Sequence, residues 1–278
     1  MPLFASMPVT APPPPTKFTL RGPLDAEQRE FLDTYGYIHF GAFAAPSEIA
    51  MIRDELGRIE AAWIAEERQT VNGIPIRYGT RPDGSRYVNR FAFTSLFSPR
   101  LRDFLADERW EAVRAACGDK FRLGQHEKDG VVVNQFINQP GSRYKRLGWH
   151  VDALRDLFYG RLPQPMLNVG LYLDDSYRDK GALRVLPGSH KQGLRHILFG
   201  KLHFFDHRDD PREIILEADA GDLTFHDGRT WHRVGKAQTT GLASLRRTMY
   251  LPFLTGPFEP KSETSRMPLY HRFSRALR

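Results

Sequence analysis

Cysteine is almost absent from this sequence. Cys117 is the only one among 278 residues, so no internal disulfide can form, and its expected place is in the core as a small hydrophobe. Nor is there a run of about 18 apolar residues, the length needed to span a bilayer. The opening stretch, MPLFASMPVTAPPPPTKF, has no basic side chain before Lys17, and prolines interrupt its apolar residues. The basic-then-apolar layout of a secretion signal is therefore missing. These absences point to the reducing cytoplasm. They suggest a flexible, proline-rich leader over residues 1–18 and one domain over 19–278. Internal repeats and long charge blocks are missing too.

Acidic charge is the scarcer sign. Forty Lys and Arg stand against 33 Asp and Glu, a formal net charge of +7. A basic surplus suits nucleic acid, a pocket for a small anion, or a solvated surface. The arginines are scattered and no nucleic-acid motif is present, so neither nucleic acid nor a membrane is the expected partner.

The first part, 19–120, reads as mostly helical. Asp25 is an N-cap candidate and Gly36 a stop. Ile49, Ile52, Leu56 and Ile59 recur at helical spacing. Residues 70–86, rich in glycine and arginine, read as a loop. From about Phe121 the pattern changes to short runs of Val, Ile, Leu, Phe and Tyr punctuated by Gly, Pro and Asp. That predicts an all-β sandwich or barrel over 121–278 with the helices packed outside.

Within the β-rich part lies Gly148-Trp149-His150-Val151-Asp152. Residues two apart on a strand share a face, so His150 and Asp152 can aim an imidazole and a carboxylate at one ion. A third ligand must come from elsewhere. His232, in Trp231-His232-Arg233, leads, and His226 is its rival. Two histidines and a carboxylate with an open opposite face suit non-haem iron(II), a 2-oxo acid and O2. Downstream, Arg246-Arg247 offers a two-pronged cation for the far carboxylate of 2-oxoglutarate. In one strand the two arginines face opposite sides, so only one can enter the core.

The region from about Asn134 to Tyr250 resembles the phytanoyl-CoA dioxygenase family. The matching stretches are Trp149-His150-Val151-Asp152, Leu173-Asp174-Asp175, Gly181 to His190 with its Leu-Pro-Gly-Ser-His end, Gly221-Asp222, Trp231-His232 and Arg246-Arg247. The resemblance implies a double-stranded β-helix (jelly roll), with His150, Asp152 and His232 as ligands of Fe(II) and Arg246 as the 2-oxoglutarate arginine. It further implies that Asn138 touches 2-oxoglutarate, with Asn134 on the same strand face. Two departures stand out. Arg246 follows His232 by fourteen residues where the family usually has eleven. Val234 occupies the place of a usual serine, for which Thr248 can substitute. His190 and the pair Asp174-Asp175 are expected to be structural.

The expected activity is hydroxylation of a small anionic or zwitterionic metabolite. Glu127–Asn134 and Gly148–Gly160 are similar to bacterial dioxygenases of 2-aminoethylphosphonate-type compounds. Arg143, Lys145, Arg146, Arg155 and Arg161 lie close to the metal triplet in sequence. Asp152 argues against halogenation, which needs that ligand position open, but not against desaturation or cyclisation. Acyl-CoA or natural-product substrates, a non-catalytic 2-oxoglutarate sensor and a nucleic-acid demethylase remain as alternatives.

Overall fold

A computed structural model of the chain describes residues 16–140, 142, 145–158, 162–268 and 271. Two antiparallel sheets dominate it. The larger runs Tyr37–Phe40, Leu223–Asp227, Met166–Tyr172, Arg246–Leu254, Val132–Phe136, Arg86–Phe91 and Arg77–Thr80, with Arg122–Leu123 beside the end of Arg246–Leu254. The smaller runs Ile214–Leu216, Leu183–Val185, His232–Val234 and Leu147–His150. Tyr37 and Phe136 of the larger sheet meet Leu183, Val185, Leu216 and Val234 of the smaller in one buried cluster, so the sheets face each other. This is a double-stranded β-helix with helices packed outside.

Alternation gives the larger sheet two different faces. Val133, Val169, Leu171, Leu223, Phe225, Met249, Leu251 and Phe253 bury in the main core. There they join Ile49, Ile52, Leu56, Ile59 and Trp63 of the helix Pro46–Ala65. Each such side chain contributes roughly 1.5–3 kcal/mol by leaving water. The residues between them, including Asn168, Thr224, His226, Arg246, Thr248 and Tyr250, are polar and face the smaller sheet.

Helix ends follow local chemistry. Asp25 caps Ala26–Tyr35 by accepting from the Gln28 amide at 2.9 Å, and Gln28 returns the bond to the Asp25 amide. Gly36 ends that helix at φ 76°, and a Cβ there would also run into His190. Cys117 is buried as expected.

Two expectations need correction. The stretch 70–86 is not a loop, and 19–120, read as mostly helical, holds several strands besides its helices. Thr70–Val71 pairs with Ile74–Pro75, and Arg77–Thr80 pairs with Arg86–Phe91, which joins the larger sheet. Asn72 (φ 50°) and Gly73 (φ 76°) make the first turn, and Gly84 (φ 86°) sits in the second. Asn-Gly and Asp-Gly are the pairs that a tight hairpin requires. Phe18 donates to the His39 carbonyl at 2.8 Å, and Lys17 reaches Asp222 at 2.8 Å. Residues 1–15 lie outside the described residues.

Candidate active site

His150 ends the strand Leu147–His150, and His232 begins His232–Val234 directly opposite it in register. Asp152 lies just past the strand, in the turn leading to the helix Leu154–Phe158, and not within the strand as the spacing predicts. The turn still brings it back: one ligand atom from each of His150, Asp152 and His232 lies within 4.8 Å of the others. Each imidazole is pinned identically. Nδ1 of His150 donates to the Gly148 carbonyl and Nδ1 of His232 to the Thr230 carbonyl, both at 2.9 Å. A carbonyl only accepts, so the proton is on Nδ1 and Nε2 is the nitrogen with the lone pair that can ligate a metal.

Burial, reinforced by His150, holds the His232 imidazole well below its usual range and therefore neutral. Burial works the other way on Asp152, but the surrounding imidazoles and a hydrogen bond from His226 outweigh it, so its carboxyl titrates well below the usual range. Asn168 donates to Oδ2 of Asp152 at 2.9 Å, and His226 Nε2 meets the same oxygen at 3.3 Å. Oδ1 lies 3.9 Å from His232 Nε2. His226 is thus a neighbour of the carboxylate and stands outside the triad. No motif marks Asn168, which reaches Asp152 from the larger sheet, where it pairs with His226.

Phe204 stacks on His150, ring centroids 5.0 Å apart and planes at 28°. Its backbone is at φ 65°, a region that bulky residues rarely occupy. The segment fits closely because residue 148 is glycine: a Cβ there would strike the Phe204 carbonyl.

The two arginines at 246 and 247 part as alternation predicts. Arg247 faces outward and binds Asp174 through two bonds, at 2.7 and 3.0 Å, and Asp174 also holds Arg53. Arg246 faces inward, 4% exposed, over the Phe136 ring. Its described partners are two carbonyls, Lys180 at 2.7 Å and Gly235 at 3.3 Å. Burial pulls its guanidinium down to about 10, still a cation at neutral pH. Asn134 Oδ1 is buried on the same polar sheet and finds no hydrogen-bond partner among the described residues, and the hydroxyls of Tyr172 and Thr224 lie beside one another there. A buried cation beside such atoms fits a small dicarboxylate. Thr248 is buried beside Tyr250 on this face.

Asn138 is placed differently from expectation. Its amide donates to the Ala237 and Thr239 carbonyls, both at 2.8 Å. Its backbone binds Ser244 Oγ and Gly241 N, again at 2.8 Å. All four partners belong to the long connection between His232 and Arg246, so Asn138 anchors that connection. His190 is structural, reaching the Asp33 carbonyl at 3.1 Å, as is Asp175, which accepts from Ala220 N.

A cavity of about 490 Å³ opens between the sheets. The triad lines it, with Asn134, Asn168, Phe204 and Tyr250. Of the five cations near the triplet in sequence, Arg146 and Arg155 line it, and Arg143 and Arg161 lie outside the described residues. Lys145 is not part of the lining. Two further arginines line it, Arg77 from the stretch read as a loop and Arg90 from the strand paired with it.

Comparison with known proteins agrees with this geometry. The model of the family phytanoyl-CoA dioxygenase (PhyH) matches residues 32–247. A probable alpha-ketoglutarate-dependent hypophosphite dioxygenase of Stutzerimonas stutzeri is 26% identical over 227 residues, covering 77% of this chain and 73% of that protein. Phytanoyl-CoA dioxygenase 1 of Oryza sativa subsp. japonica is 27% identical over 243 residues, covering 76% and 83%. The crystal structure of EvdO2 from Micromonospora carbonacea var. aurantiaca, complexed with 2-oxoglutarate, superposes with a TM-score of 0.61 at 16% identity, covering 88% of this chain and 97% of that one. The chain belongs to the phytanoyl-CoA dioxygenase family and is an oxidoreductase that uses Fe(II), 2-oxoglutarate and O2.

Proposed function

We propose that this enzyme hydroxylates a small anionic or zwitterionic metabolite, with a phosphonate-like compound favoured. His150, Asp152 and His232 would hold Fe(II). Arg246 would bind the far carboxylate of 2-oxoglutarate, with Asn134 and Thr248 on the same wall. When bound, iron and 2-oxoglutarate supply an oxidant through decarboxylation to succinate and CO2, one oxygen atom of O2 entering succinate and the other the product. The chain's own residues do the rest. Gly148 and Thr230 carbonyls fix the imidazoles, Asn168 and His226 hold Asp152, and Phe204 covers one side of His150.

The observation that carries the reading is the triad opening onto a cavity whose charged wall is mainly arginine. A small anion offers little apolar surface and is held by charge-assisted hydrogen bonds. The hypophosphite named for the Stutzerimonas stutzeri relative is also a small anion. The test is succinate production with and without candidate substrates: aminophosphonates, amino acids, betaines, acyl-CoAs and neutral terpenoids. Stimulation by acyl-CoAs or terpenoids alone discards the anion and leaves the reaction class. Full stimulation with a dehydrogenated or ring-closed product would replace hydroxylation by desaturation or cyclisation.

A further inference from the structure

Residues 202–206 form a turn beside the triad, and its backbone is unusual. In an extended chain Phe204 and Phe205 would point to opposite sides. Phe204 instead has φ 65°, which breaks that alternation, and both side chains line the cavity. The Phe205 and Asp206 amides close the turn by donating to the Leu202 carbonyl at 3.2 and 2.9 Å. The strand Leu147–His150 clips it in place. The Phe204 amide donates to the Trp149 carbonyl and the Trp149 amide to the Asp206 carbonyl, each at 2.8 Å. Trp149 Nε1 donates to the Arg208 carbonyl at 2.9 Å, and Arg233 donates to the His207 carbonyl at 3.0 Å. Trp149 precedes one triad histidine and Arg233 follows the other, so the turn is registered to the triad from two strands. Yet Phe205 itself is 52% exposed and joins none of the buried apolar clusters.

We infer that Phe205 is a specificity-determining residue, and that it packs against an alkyl or aryl group carried by the anionic substrate. This rests on the proposed reading of the same cavity for the anion and adds an apolar arm to it. A bulky residue stays in left-handed backbone only where its surroundings over-determine it, and such strain collects where ligands are handled. Here the strained residue, Phe204, is spent on the ring stack with His150, and its backbone turns the next ring onto the cavity wall. Core packing does not account for that second ring, which stands half in water. A phenyl side chain has no donor or acceptor to offer a polar group, so what it gains from a ligand is the covering of apolar surface. Leu147, Val151 and Leu154, from the stretch around His150, line the same cavity and extend the apolar surface. Because the turn is tied to Trp149 and Arg233, the apolar arm and the reacting atom are positioned by one frame.

The experiment uses the full chain, loaded anaerobically with Fe(II) and 2-oxoglutarate, and titrates methylphosphonate, butylphosphonate, phenylphosphonate and benzyl alcohol by calorimetry. Each buried methylene is worth roughly fourfold in affinity. Butyl- and phenylphosphonate should therefore bind at least tenfold more tightly than methylphosphonate. Phe205→Ala should shrink that spread to less than threefold, and Phe205→Leu should keep part of it for the butyl compound. Melting curves verify that the variants fold. A spread below threefold in the unaltered protein, or a tenfold spread that survives in Phe205→Ala, overturns the inference. Binding of all three phosphonates without the spread overturns it while leaving the anionic reading intact. Benzyl alcohol binding as tightly as phenylphosphonate, and weakened tenfold in Phe205→Ala, does the reverse. Binding of none of the four overturns both.

Discussion

His150 and His232 face each other across paired antiparallel strands, ring centroids 4.1 Å apart, each held by the carbonyl two residues before it. The pair is assembled by backbone register, so the geometry for a metal exists before the ion arrives. Replacing His150, Asp152 or His232 by alanine should abolish the charge-transfer band and the activity without unfolding the chain. Anaerobic absorbance and bound-iron assays check this. Full activity in His232→Ala would remove it from the ligand set.

Arg246→Ala should raise the 2-oxoglutarate requirement by about 10- to 100-fold, since a charged hydrogen bond contributes roughly 1.5–3 kcal/mol. Arg247→Ala should act on stability instead, costing about 1 kcal/mol, because Asp174 keeps Arg53. Co-substrate titrations and melting curves of the two variants separate these effects. If Arg247→Ala is the worse for 2-oxoglutarate, the assignment is reversed.

Asn168→Ala and His226→Ala should each weaken iron binding by about 10- to 100-fold, the usual effect of removing a partner from a ligating carboxylate. Neither should abolish it. Iron titration under anaerobic conditions is the measurement, and unchanged affinity in both variants would deny them a positioning role.

Asn138→Ala should loosen residues 237–244, with faster amide exchange there and about 2 kcal/mol of lost stability from two missing hydrogen bonds. A rise in 2-oxoglutarate requirement without faster exchange would instead restore direct contact with the co-substrate.

Asp222 accepts from Lys17, from the amides of Ala42 and Asp219, and from His39. Burial opposes its ionised form, but these partners win and hold its carboxyl well below the usual range. The unfolded chain therefore takes up this proton first as pH falls. The stabilisation is complete above the ordinary carboxylate range, near 4, and is lost as pH drops below it. Asp222→Asn should lower stability at neutral pH by about 3 kcal/mol and flatten the acid limb of the stability curve. Denaturant melts across pH 2–7 test both parts.

The triad was legible because its information is local or stereotyped: an H-x-D triplet, a tryptophan before His232, an arginine pair early in a strand. Short, evenly punctuated apolar runs made a β sandwich or barrel legible, and the family resemblance narrowed it to the jelly roll. Arg77, Arg90 and Asn168 were not, since each reaches the cavity through sheet pairing with a strand distant in sequence. The hairpins were missed for a different reason. Glycine and arginine content over 70–86 reads as a loop, whereas Asn72-Gly73 and Asp83-Gly84 carry the turn signal. Asn138 shows a third limit: motif position placed it near the right arginine, but which neighbour its amide binds depends on a lengthened connection.

The strand Arg246–Leu254 divides its labour by parity. Positions 248, 250 and 252, following Arg246, face the chamber between the sheets, whereas 249, 251 and 253 are locked into the helix-backed core. Changes at the even positions leave the packing that sets melting temperature largely untouched, and changes at the odd ones leave the chamber wall untouched. Evolution can therefore retune what this enzyme accepts along one set of codons while conserving foldability along the interleaved set. A saturation library of 248–253 should split accordingly, with loss of soluble protein at odd sites and altered substrate scope at even ones.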